Sequence, residues 1–472
     1  MSAQKKYKTL IVWLRRDLRV HDNSALHHAL LEAEQVVPLF VLDEAILRRP
    51  DTGPARVEFL LDALRVLDGN LQKRGGRLII RQGKTPEAIL SAVQEFDADG
   101  VFFHKEQEPH GRARDEAVTE LLTQAGKECK TFTDITLFAP TEILSQIGTP
   151  YTVFTPYKKV WFSRPAPPPY PAPASVPIPI GAWSAPLPKA VDRQFGTEQT
   201  FECGGEDAAL GLLHKFLAEK ASAYAAHRDI LADDGTSRLS RHLHMGTISP
   251  RTIVAAVREA GIDKGAETFL SEIAWREFYL QILYHFPHVA EGAFRPQYNK
   301  VAWENDETLF AAWKDGRTGY PIVDAAMRQM NHEAWMHNRG RMITASFLTK
   351  DLLIDWRWGE RYFMEKLVDG DQAANNGGWQ WAAGTGTDAQ PYFRIFNPTT
   401  QGEKFDPNGT YVKRWIPELA RVPASVIHKP WTLSEAERAH FGASDYPAPI
   451  VDHAVQRTRA LAMYQKAAEV TA

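Results

Sequence analysis

The chain is poor in cysteine and contains no long apolar run. Only two of its 472 residues are cysteines, Cys129 and Cys203, and they lie far apart in the sequence. This excludes a disulfide framework and favours a reducing compartment. No stretch of eighteen apolar residues is present, so no membrane span is expected. The polar residues 1–8 lead directly into a strand-like run rather than a signal peptide, so the expected location is the cytoplasm.

The sequence also lacks an excess of charge of either sign. Lys and Arg number 55 against 58 Asp and Glu, a formal net charge of −3. This argues against a protein that coats nucleic acid by bulk electrostatics, so a DNA partner would need a local patch and specific pockets. The motifs G-x-G-x-x-G after the first strand and G-x-S-x-G are absent as well. A dinucleotide-binding dehydrogenase and an α/β hydrolase are therefore disfavoured.

Short apolar runs alternate with amphipathic stretches over the first 140 residues. Strands are predicted at 9–14, 36–42, 78–81, 101–104 and 130–133, and helices at 24–33, 56–73, 86–96 and 112–125. This alternation indicates a doubly wound, five-stranded parallel sheet covered by helices on both faces. Ligands of such sheets bind at the carboxyl ends of the strands.

The remainder of the chain divides into a proline-rich and a helical part. Ten of the 24 residues in 165–188 are proline, which predicts an extended linker. Helical patterns follow at 207–226, 251–259, 267–284, 321–330 and 339–353. The predicted organisation is an α/β domain at 1–140, a linker at 141–205 and an all-helical domain at 206–472.

Tryptophan is concentrated in the helical part. Ten of the thirteen tryptophans follow residue 270, and the segment 369–381 combines carboxylates, amides and glycines with Trp379 and Trp381. A buried indole needs a partner for its N–H group, which Leu or Phe would not require. Indole is also easily oxidised by one electron. The cluster therefore suggests a redox-active aromatic cofactor, although each single Trp would also suit an ordinary core.

Three further groupings each have a functional and a structural interpretation. The hydroxyl-rich segment 234–240 suits phosphate oxygens, or it is a capped helix start. Glu272, Trp275 and Arg276 share a helical face, as a site or as an amphipathic surface. Asn338 and Met342, near Trp335, could grip an aromatic base, or Met342 could belong to a core.

Four long motifs in one order resemble the photolyase/cryptochrome flavoproteins over nearly the whole chain. They are W-L-R-R-D-L-R at 13–19 with H-D-N at 21–23, T-G-Y-P-I-V-D-A-A-M-R at 318–328, N-R-G-R-M at 338–342 with S-F-L at 346–348 and Lys350, and T-G-T-D at 385–388 with Y-F-R-I-F-N-P at 392–398. The resemblance implies FAD in the helical domain, active in its reduced, anionic form. No metal is implied.

The resemblance also implies roles for individual residues around FAD. Asn375 would face flavin N5, and Arg341 would pair with Asp369 beside the ring system, with Asp371 next to them. Indoles would carry electrons to the flavin along the series Trp379, Trp356 and Trp303. The remaining residues implied in cofactor binding are Tyr224, Thr236, Ser237, Arg238, Leu239, Ser240, Glu272, Arg276, Trp335 and Asn338.

Substrate-pocket residues resemble those of cyclobutane pyrimidine dimer photolyases. Trp275 and Trp381 match indoles that sandwich the lesion, and Glu272, Asn338 and Met342 match its contacts. Photolyases for the (6-4) photoproduct carry histidines at the last two positions, so that class is disfavoured. The implied reaction is light-driven electron transfer from reduced FAD, which splits the dimer's cyclobutane bonds.

DNA contacts and oligomeric state follow the same resemblance. Arg228 and Arg339 would meet the phosphates flanking the lesion in double-stranded DNA. A monomer without a membrane or an obligate protein partner is expected. The alternative is a cryptochrome, a blue-light photoreceptor with the same flavin. The absence of a long polar tail after the last helical pattern disfavours it.

A second, light-harvesting chromophore is implied for the α/β domain. Folate-binding members carry Asn-Glu where this chain has His110-Gly111, which disfavours folate. The pattern E-P-H-G-R at 108–112, with P-A-R at 54–56, is more similar to deazaflavin-binding members. A deazaflavin-type antenna is therefore expected before flavin mononucleotide or folate.

Overall fold

The structure, a computed structural model, describes residues 5–189, 197–202 and 204–469. Of the two cysteines, Cys203 lies outside the described residues. Contacts between Cα atoms divide the chain into two compact units. The first comprises 1–197, 202–222 and 237–287, and the second 198–201, 223–236 and 288–472. Among the described residues, no helix combines the length and the apolar character needed to cross a bilayer.

The first unit contains the predicted five-stranded parallel sheet. Its strands are β1 (Tyr7–Leu14), β2 (Ala33–Leu42), β3 (Ile79–Gln82), β4 (Gly100–His104) and β5 (Glu128–Phe132). They lie in the order β3-β2-β1-β4-β5, and all pairs are parallel. From β1 the chain continues to β2 and β3 on one side of the sheet and then crosses to β4 and β5 on the other side, so the switch point lies between β1 and β4. In a doubly wound sheet this switch point, at the carboxyl ends, is where ligands bind.

Both faces of the sheet are covered, as the apolar strand runs predict. Leu10 and Val12 belong to one hydrophobic cluster, whereas Ile11 and Trp13 belong to another. Successive side chains of a strand point to opposite faces, so each cluster fills one side. All four side chains are almost completely buried.

Ten helices of the first unit are found in its described residues. They are α1 (Ser24–Glu32), α2 (Glu44–Leu47), α3 (Pro54–Gln72), α4 (Thr85–Glu95), α5 (Pro109–Gln124), α6 (Phe154–Ser163), α7 (Glu206–Glu219), α9 (Ser240–Met245), α10 (Pro250–Ala260) and α11 (Lys264–His285). Helix α8 (Tyr224–His227) lies between α7 and α9 in the chain but belongs to the second unit. The contact-based division places α7 and α9–α11 with the sheet, whereas the sequence analysis places them in the helical domain.

The second unit is helical over its described residues. Besides α8 it contains α12 (Glu307–Lys314), α13 (Pro321–Glu333), α14 (Asn338–Ser346), α15 (Trp356–Lys366), α16 (Gln372–Ala383), α17 (Pro398–Phe405), α18 (Thr410–Trp415), α19 (Glu435–Phe441) and α20 (His453–Glu469). Short 3₁₀ helices occur at Pro296–Lys300, Pro417–Leu419 and Pro430–Thr432, and Pro287–Ala290 straddles the unit boundary.

Two predicted helices are shorter than expected. The helix predicted at 207–226 ends at Glu219, and a turn precedes α8. This turn packs against α11, because a side chain at Gly265 would meet the Ala221 carbonyl oxygen at 2.1 Å. The helix predicted at 339–353 ends at Ser346 and continues as a wider π turn over Phe347–Asp351. Tertiary packing overrides helical periodicity at both places.

The predicted linker at 141–205 is extended over most of its proline-rich stretch, but it includes a helix that the prediction missed. Helix α6 buries Trp161, whose indole N–H donates to Glu277 Oε2 on α11 at 2.8 Å. The extended part also follows the sheet unit, since the Val36 N–H group donates to the Pro177 carbonyl oxygen. These contacts explain why the segment clusters with the first unit.

The first family-like motif builds a buried ionic network. Arg251 Nε on α10 donates to Asp22 Oδ1 at 2.9 Å, and its guanidinium also pairs with Asp134 after β5. Asp134 pairs with Arg19 as well, and these four residues are at most 3 % exposed. Removing one partner would leave a buried charge uncompensated. In this structure the motif therefore holds α10 against the sheet.

Candidate functional site

Helix α11 carries three of the predicted site residues. Glu272, Trp275 and Arg276 lie on this one helix at the spacing that places them on a common face. The Trp275 ring stacks on Phe154 with a centroid distance of 3.6 Å and an interplanar angle of 12°. Trp275 is half-buried, so this support leaves part of a flat apolar surface accessible. Such a surface suits stacking with a nucleobase.

Arg276 fixes α11 to neighbouring backbone. Its guanidinium donates to the carbonyl oxygens of Ile135 at 2.6 Å and Leu243 at 3.3 Å. These bonds give the cation of Arg276 a structural role on this face. The predicted contact of Arg276 with a flavin stays a prediction.

Glu277 is the best-buried acid on α11, and the sequence did not predict a site residue there. It accepts hydrogen bonds from the Leu137 backbone N–H group and from Trp161 Nε1. Burial raises the pKa of Glu277 to about 7. It follows Arg276 directly in the sequence, and no motif distinguishes it from an exposed Glu.

The segment Thr236–Ser240 has hydrogen-bonding groups that the described residues leave unused. In those residues, the backbone N–H groups of Ser237 and Ser240 have no acceptor. Arg238 adopts a left-handed φ of 55°, which non-glycine residues rarely do. Leu239 is buried, whereas Ser240 is exposed at the start of α9. Free N–H and hydroxyl groups in a tight turn suit phosphate oxygens.

Helix α14 presents the predicted pair of Asn338 and Met342. Asn338 is exposed, Met342 is half-buried, and the Asn338 Nδ2 to Met342 Sδ distance is 3.9 Å. The capping His337 accepts from the Arg339 N–H group, which fixes the start of the helix. An amide and a thioether are therefore neighbours on an accessible face, as expected.

The two arginines of α14 point to different partners. Arg339 pairs with Asp229 at 2.8 Å and lies over the Phe405 ring at 4.2 Å. Arg341 pairs with Asp369 at 2.8 Å, which confirms the predicted pairing. The Asp369 carboxylate is almost fully buried, so this ion pair needs the additional bond from Arg341 to the Met336 carbonyl oxygen.

Tyr224, Arg228 and Trp335 also belong to the second unit. Tyr224 is buried at the start of α8, and the Arg228 guanidinium lies 5.7 Å from its ring centroid. Arg228 Nε is 3.9 Å from the Asp229 carboxylate that Arg339 also contacts. Trp335 is buried beside the His337 ring.

Helix α16 places the carboxylate, amide and indole residues of the aromatic-rich segment. Asp371 caps the helix by accepting from the Ala374 N–H group. Asn375 Nδ2 donates to the Glu360 carbonyl oxygen at 3.0 Å. Trp379 is 2 % exposed, whereas Trp381 is half-buried. The two indoles thus occupy different environments, as their spacing predicts.

The predicted electron-transfer indoles differ in exposure. Trp379 contacts the Phe363 ring edge-on at 4.9 Å and the Trp313 ring at 6.1 Å. Trp356 is buried at the first turn of α15, and half-buried Trp303 contacts the Tyr464 ring at 5.9 Å. Trp379 and Trp356 are thus buried and Trp303 is half-buried, as expected for an electron-transfer route that leads towards solvent. Their order as a route stays a prediction.

A second candidate site lies at the carboxyl ends of β1 and β4. Arg114 on α5 lies over the Trp13 ring at 5.3 Å. Its guanidinium has neither a hydrogen bond nor an ion pair in the described residues, and Nε is buried. Burial, together with the nearby Arg15, lowers the pKa of Arg114 to about 10. The Oε1 atom of Gln107 is another buried polar atom without a partner among the described residues.

Comparison with known proteins identifies two modules. Residues 10–174 match the family model described as DNA photolyase, and residues 269–466 match the FAD binding domain of DNA photolyase. Together they define a flavoprotein with a parallel α/β module and a helical FAD-binding module.

Similarity extends over the whole chain. The deoxyribodipyrimidine photo-lyase of Alkalihalophilus pseudofirmus is 41 % identical over 96 % of this chain and 97 % of its own length. A class III photolyase from Agrobacterium tumefaciens has a TM-score of 0.92 at 36 % identity, covering 99 % of both chains. A Sulfolobus tokodaii photolyase, solved with two FAD molecules, has a TM-score of 0.85 at 34 % identity over 97 % and 100 %. The chain belongs to the DNA photolyase family.

Proposed function

We propose that this protein repairs cyclobutane pyrimidine dimers in double-stranded DNA, driven by light. The proposal rests on one set of residues that occur together in this chain. The chain is similar to deoxyribodipyrimidine photo-lyases over nearly its full length. The set consists of Glu272, Trp275, Asn338, Met342 and Trp381. The protein acts as a monomer and needs no metal.

FAD is the proposed resident cofactor, and the chain offers groups that fit it. The unused N–H groups of Ser237 and Ser240 suit its phosphates, and the Arg341–Asp369 pair provides a fixed polar partner for the ring system. Asn375 would offer flavin N5 an amide, which can donate a hydrogen bond without adding charge. The other proposed FAD residues are Tyr224, Thr236, Arg238, Leu239, Glu272, Arg276, Trp335, Asn338 and Asp371.

When bound and reduced, FAD supplies the excited-state electron that opens the dimer. The chain's own task is to exclude water, deliver electrons and hold the lesion. Trp379, Trp356 and Trp303 deliver electrons that reduce the cofactor, since buried indoles lose one electron readily. Glu272 donates a hydrogen bond to the pyrimidine and so stabilises the added charge, which requires a proton on its carboxyl group.

DNA is held by stacking and by phosphate contacts. Trp275, backed by Phe154, and Trp381 are the two indoles proposed to stack on the lesion. Arg228 and Arg339 both lie at the Asp229 carboxylate, which places two guanidinium groups together for the phosphates flanking the lesion. A dimer has already lost stacking and pairing, so flipping it out of the duplex costs little.

We also propose an antenna chromophore at the switch point of the sheet. The half-buried Arg114 has no hydrogen bond or ion pair in the described residues, and its guanidinium fits an anionic group. A deazaflavin-type chromophore with an acidic tail is proposed before flavin mononucleotide or folate.

The repair assay tests the main proposal. Purified protein, reduced and supplied with dimer-containing DNA, is expected to restore thymine under blue light and not in the dark. Trp381→Ala should weaken DNA binding, because an indole–base stack contributes about 1–3 kcal/mol. Glu272→Ala should lower repair per absorbed photon more than it lowers binding.

A matched control separates these effects from general damage. Glu259→Gln, at an exposed position of α10, should leave both repair and binding unchanged. Photoreducible FAD without any thymine recovery would instead support the cryptochrome alternative. Equal repair per photon in Glu272→Ala would contradict the role of Glu272.

A further inference from the structure

A half-buried acid lies next to the residue proposed to face the flavin. Glu360, on α15, accepts a hydrogen bond at Oε1 from Asn376 Nδ2 at 2.8 Å. Its backbone carbonyl oxygen accepts from Asn375 Nδ2 at 3.0 Å. The carboxyl and carbonyl groups of one residue thus contact two successive amides of α16.

No cation neutralises this carboxyl group in the described part of the chain. The charged groups that act on it are Arg357, Arg361 and Asp355, and Arg357 is paired with Asp355 at 2.6 Å. From α16 it meets the uncharged amide of Asn376. Burial therefore dominates and raises the pKa of Glu360 to about 7. At neutral pH the group is poised between its acid and its carboxylate form.

The helix of this acid carries one of the indoles proposed to carry electrons and contacts a second one. Trp356 precedes Glu360 by four residues on α15, which places both on one face. The adjacent Gly359 lies against the Trp379 ring, where an added Cβ would be 2.1 Å from Cη2. Electron delivery and a titratable proton therefore meet in one part of the second unit.

An electron that enters a buried site brings charge into a medium of low polarity, and this costs free energy unless a proton follows. Asn375 cannot release a proton at neutral pH. We propose that Glu360 donates the proton that accompanies the electron delivered by the indoles, an inference that rests on the proposed FAD site. One electron leaves an indole, the Glu360 O–H bond breaks, and an N–H bond forms on the flavin. The Glu360 carboxylate then regains a proton from solvent.

Flash photoreduction of the FAD-loaded protein tests the proposal through its pH profile. In the native protein, protonation of the reduced flavin should be fast below pH 7 and slow down with a midpoint near the Glu360 pKa of about 7. Glu360→Gln keeps an acceptor for Asn376 but holds no acidic proton. We expect it to slow protonation on the order of 100-fold and to abolish the midpoint. Glu360→Asp should restore part of the rate.

Glu365→Gln is the matched control, because Glu365 is an exposed acid on the same helix. It should keep the native rate and midpoint. An unchanged rate and midpoint in Glu360→Gln would overturn the proposal. If the native protein binds no FAD, or binds it without photoreduction, the proposed function itself fails and the role of Glu360 fails with it.

Infrared spectroscopy provides a readout that needs no flavin. In the cofactor-free protein, Glu277 and Glu360 should both contribute a carboxylic C=O stretch that titrates near pH 7. Glu360→Gln should lose the Glu360 part of this band, which the native-minus-variant spectrum isolates, and Glu365→Gln should keep the whole band. If Glu360→Gln does not fold, the light-induced difference spectrum of the native holoprotein decides. Transient loss of a protonated carboxyl band is expected, and its absence would overturn the proposal.

Discussion

At the scale of single residues, Arg114 shows how an unmet charge indicates a ligand. A buried guanidinium normally finds a carboxylate, because desolvating a charge without compensation is costly. Arg114 is close to Glu106 and Asp115, yet it pairs with neither in the described residues, and Asp115 pairs with Arg15 instead. An anionic ligand beside Arg114 would supply the missing partner.

Arg114→Met tests the antenna proposal. The substitution keeps an unbranched apolar chain of similar length and removes the cation. We expect purified protein to lose the second chromophore while its FAD content, measured by absorbance after extraction, stays at the native level. Lys8→Met is the control, since Lys8 is exposed at the opposite, amino end of β1. Full retention of the second chromophore in Arg114→Met would exclude this anchoring role.

The sequence predicted the chemistry of residues that stand in motifs, but not the state of isolated acids. The Arg341–Asp369 pair followed from the resemblance and is present. Glu277 and Glu360 were missed because their raised pKa values arise from burial, which one letter in a sequence does not reveal. Roles that depend on a bound cofactor, such as that of Asn375, stay predictions.

At the scale of elements, α15 and α16 meet through a glycine and an indole. The Trp379 ring occupies the space where a side chain of residue 359 would stand. Trp379 is thereby held between Gly359 and the edge of Phe363. A fixed ring position matters because electron transfer depends steeply on the separation of donor and acceptor.

Gly359→Ala should displace Trp379 and destabilise the protein. Ala favours a helix over Gly by about 1 kcal/mol, but overpacking a core costs about 1–3 kcal/mol, so a net loss is expected. Thermal unfolding and the yield of flavin photoreduction should both fall. The control is Gly378→Ala on α16, where an added Cβ has no neighbour within 4 Å. It should be neutral or stabilising, and equal behaviour of the two variants would contradict the packing argument.

Elements were predictable where a pattern is local. All five strands were predicted in order, and their bounds are close to those observed, because buried parallel strands are continuous apolar runs. The turn between α7 and α8 and the π turn at Phe347–Asp351 were missed. The π turn places Lys350 in the core, where its ammonium group donates to the Ala383 carbonyl oxygen. Such a contact depends on distant chain segments rather than on helical spacing.

At the scale of the whole molecule, buried acids link stability to pH. Burial raises the pKa of Glu277 and Glu360 from 4.5 to about 7 and that of Asp351 from 3.8 to about 6. A raised pKa means that the folded state binds more protons than the unfolded state between the two values. The stability that these three acids contribute is fully present below about pH 4. It is lost as the pH rises through their folded-state pKa values of about 6 to 7.

Acids with lowered pKa do not cancel this trend. Burial opposes the lowering at Asp17, but the charge and hydrogen bond of His104 outweigh it. Such a group is ionised in both states above about pH 5, so its contribution is already constant there. Burial lowers the pKa of the bases His242 and Lys350, and their contribution has the opposite sign because the unfolded state binds more protons there. The part of the free energy of unfolding that comes from the acids should decrease from pH 5 to pH 8.

Glu277→Gln isolates one part of this dependence. The amide keeps an acceptor for the Leu137 N–H group or for the Trp161 indole and has no charge to desolvate. A pKa shift from 4.5 to about 7 corresponds to at most about 3 kcal/mol. Denaturant unfolding at pH 5, 6, 7 and 8 should show a shallower loss in the variant than in the native protein. Glu259→Gln, at an exposed position, should keep the native slope. An identical slope in Glu277→Gln would mean that Glu277 is ionised in the folded protein, with its hydrogen bonds outweighing the cost of burial.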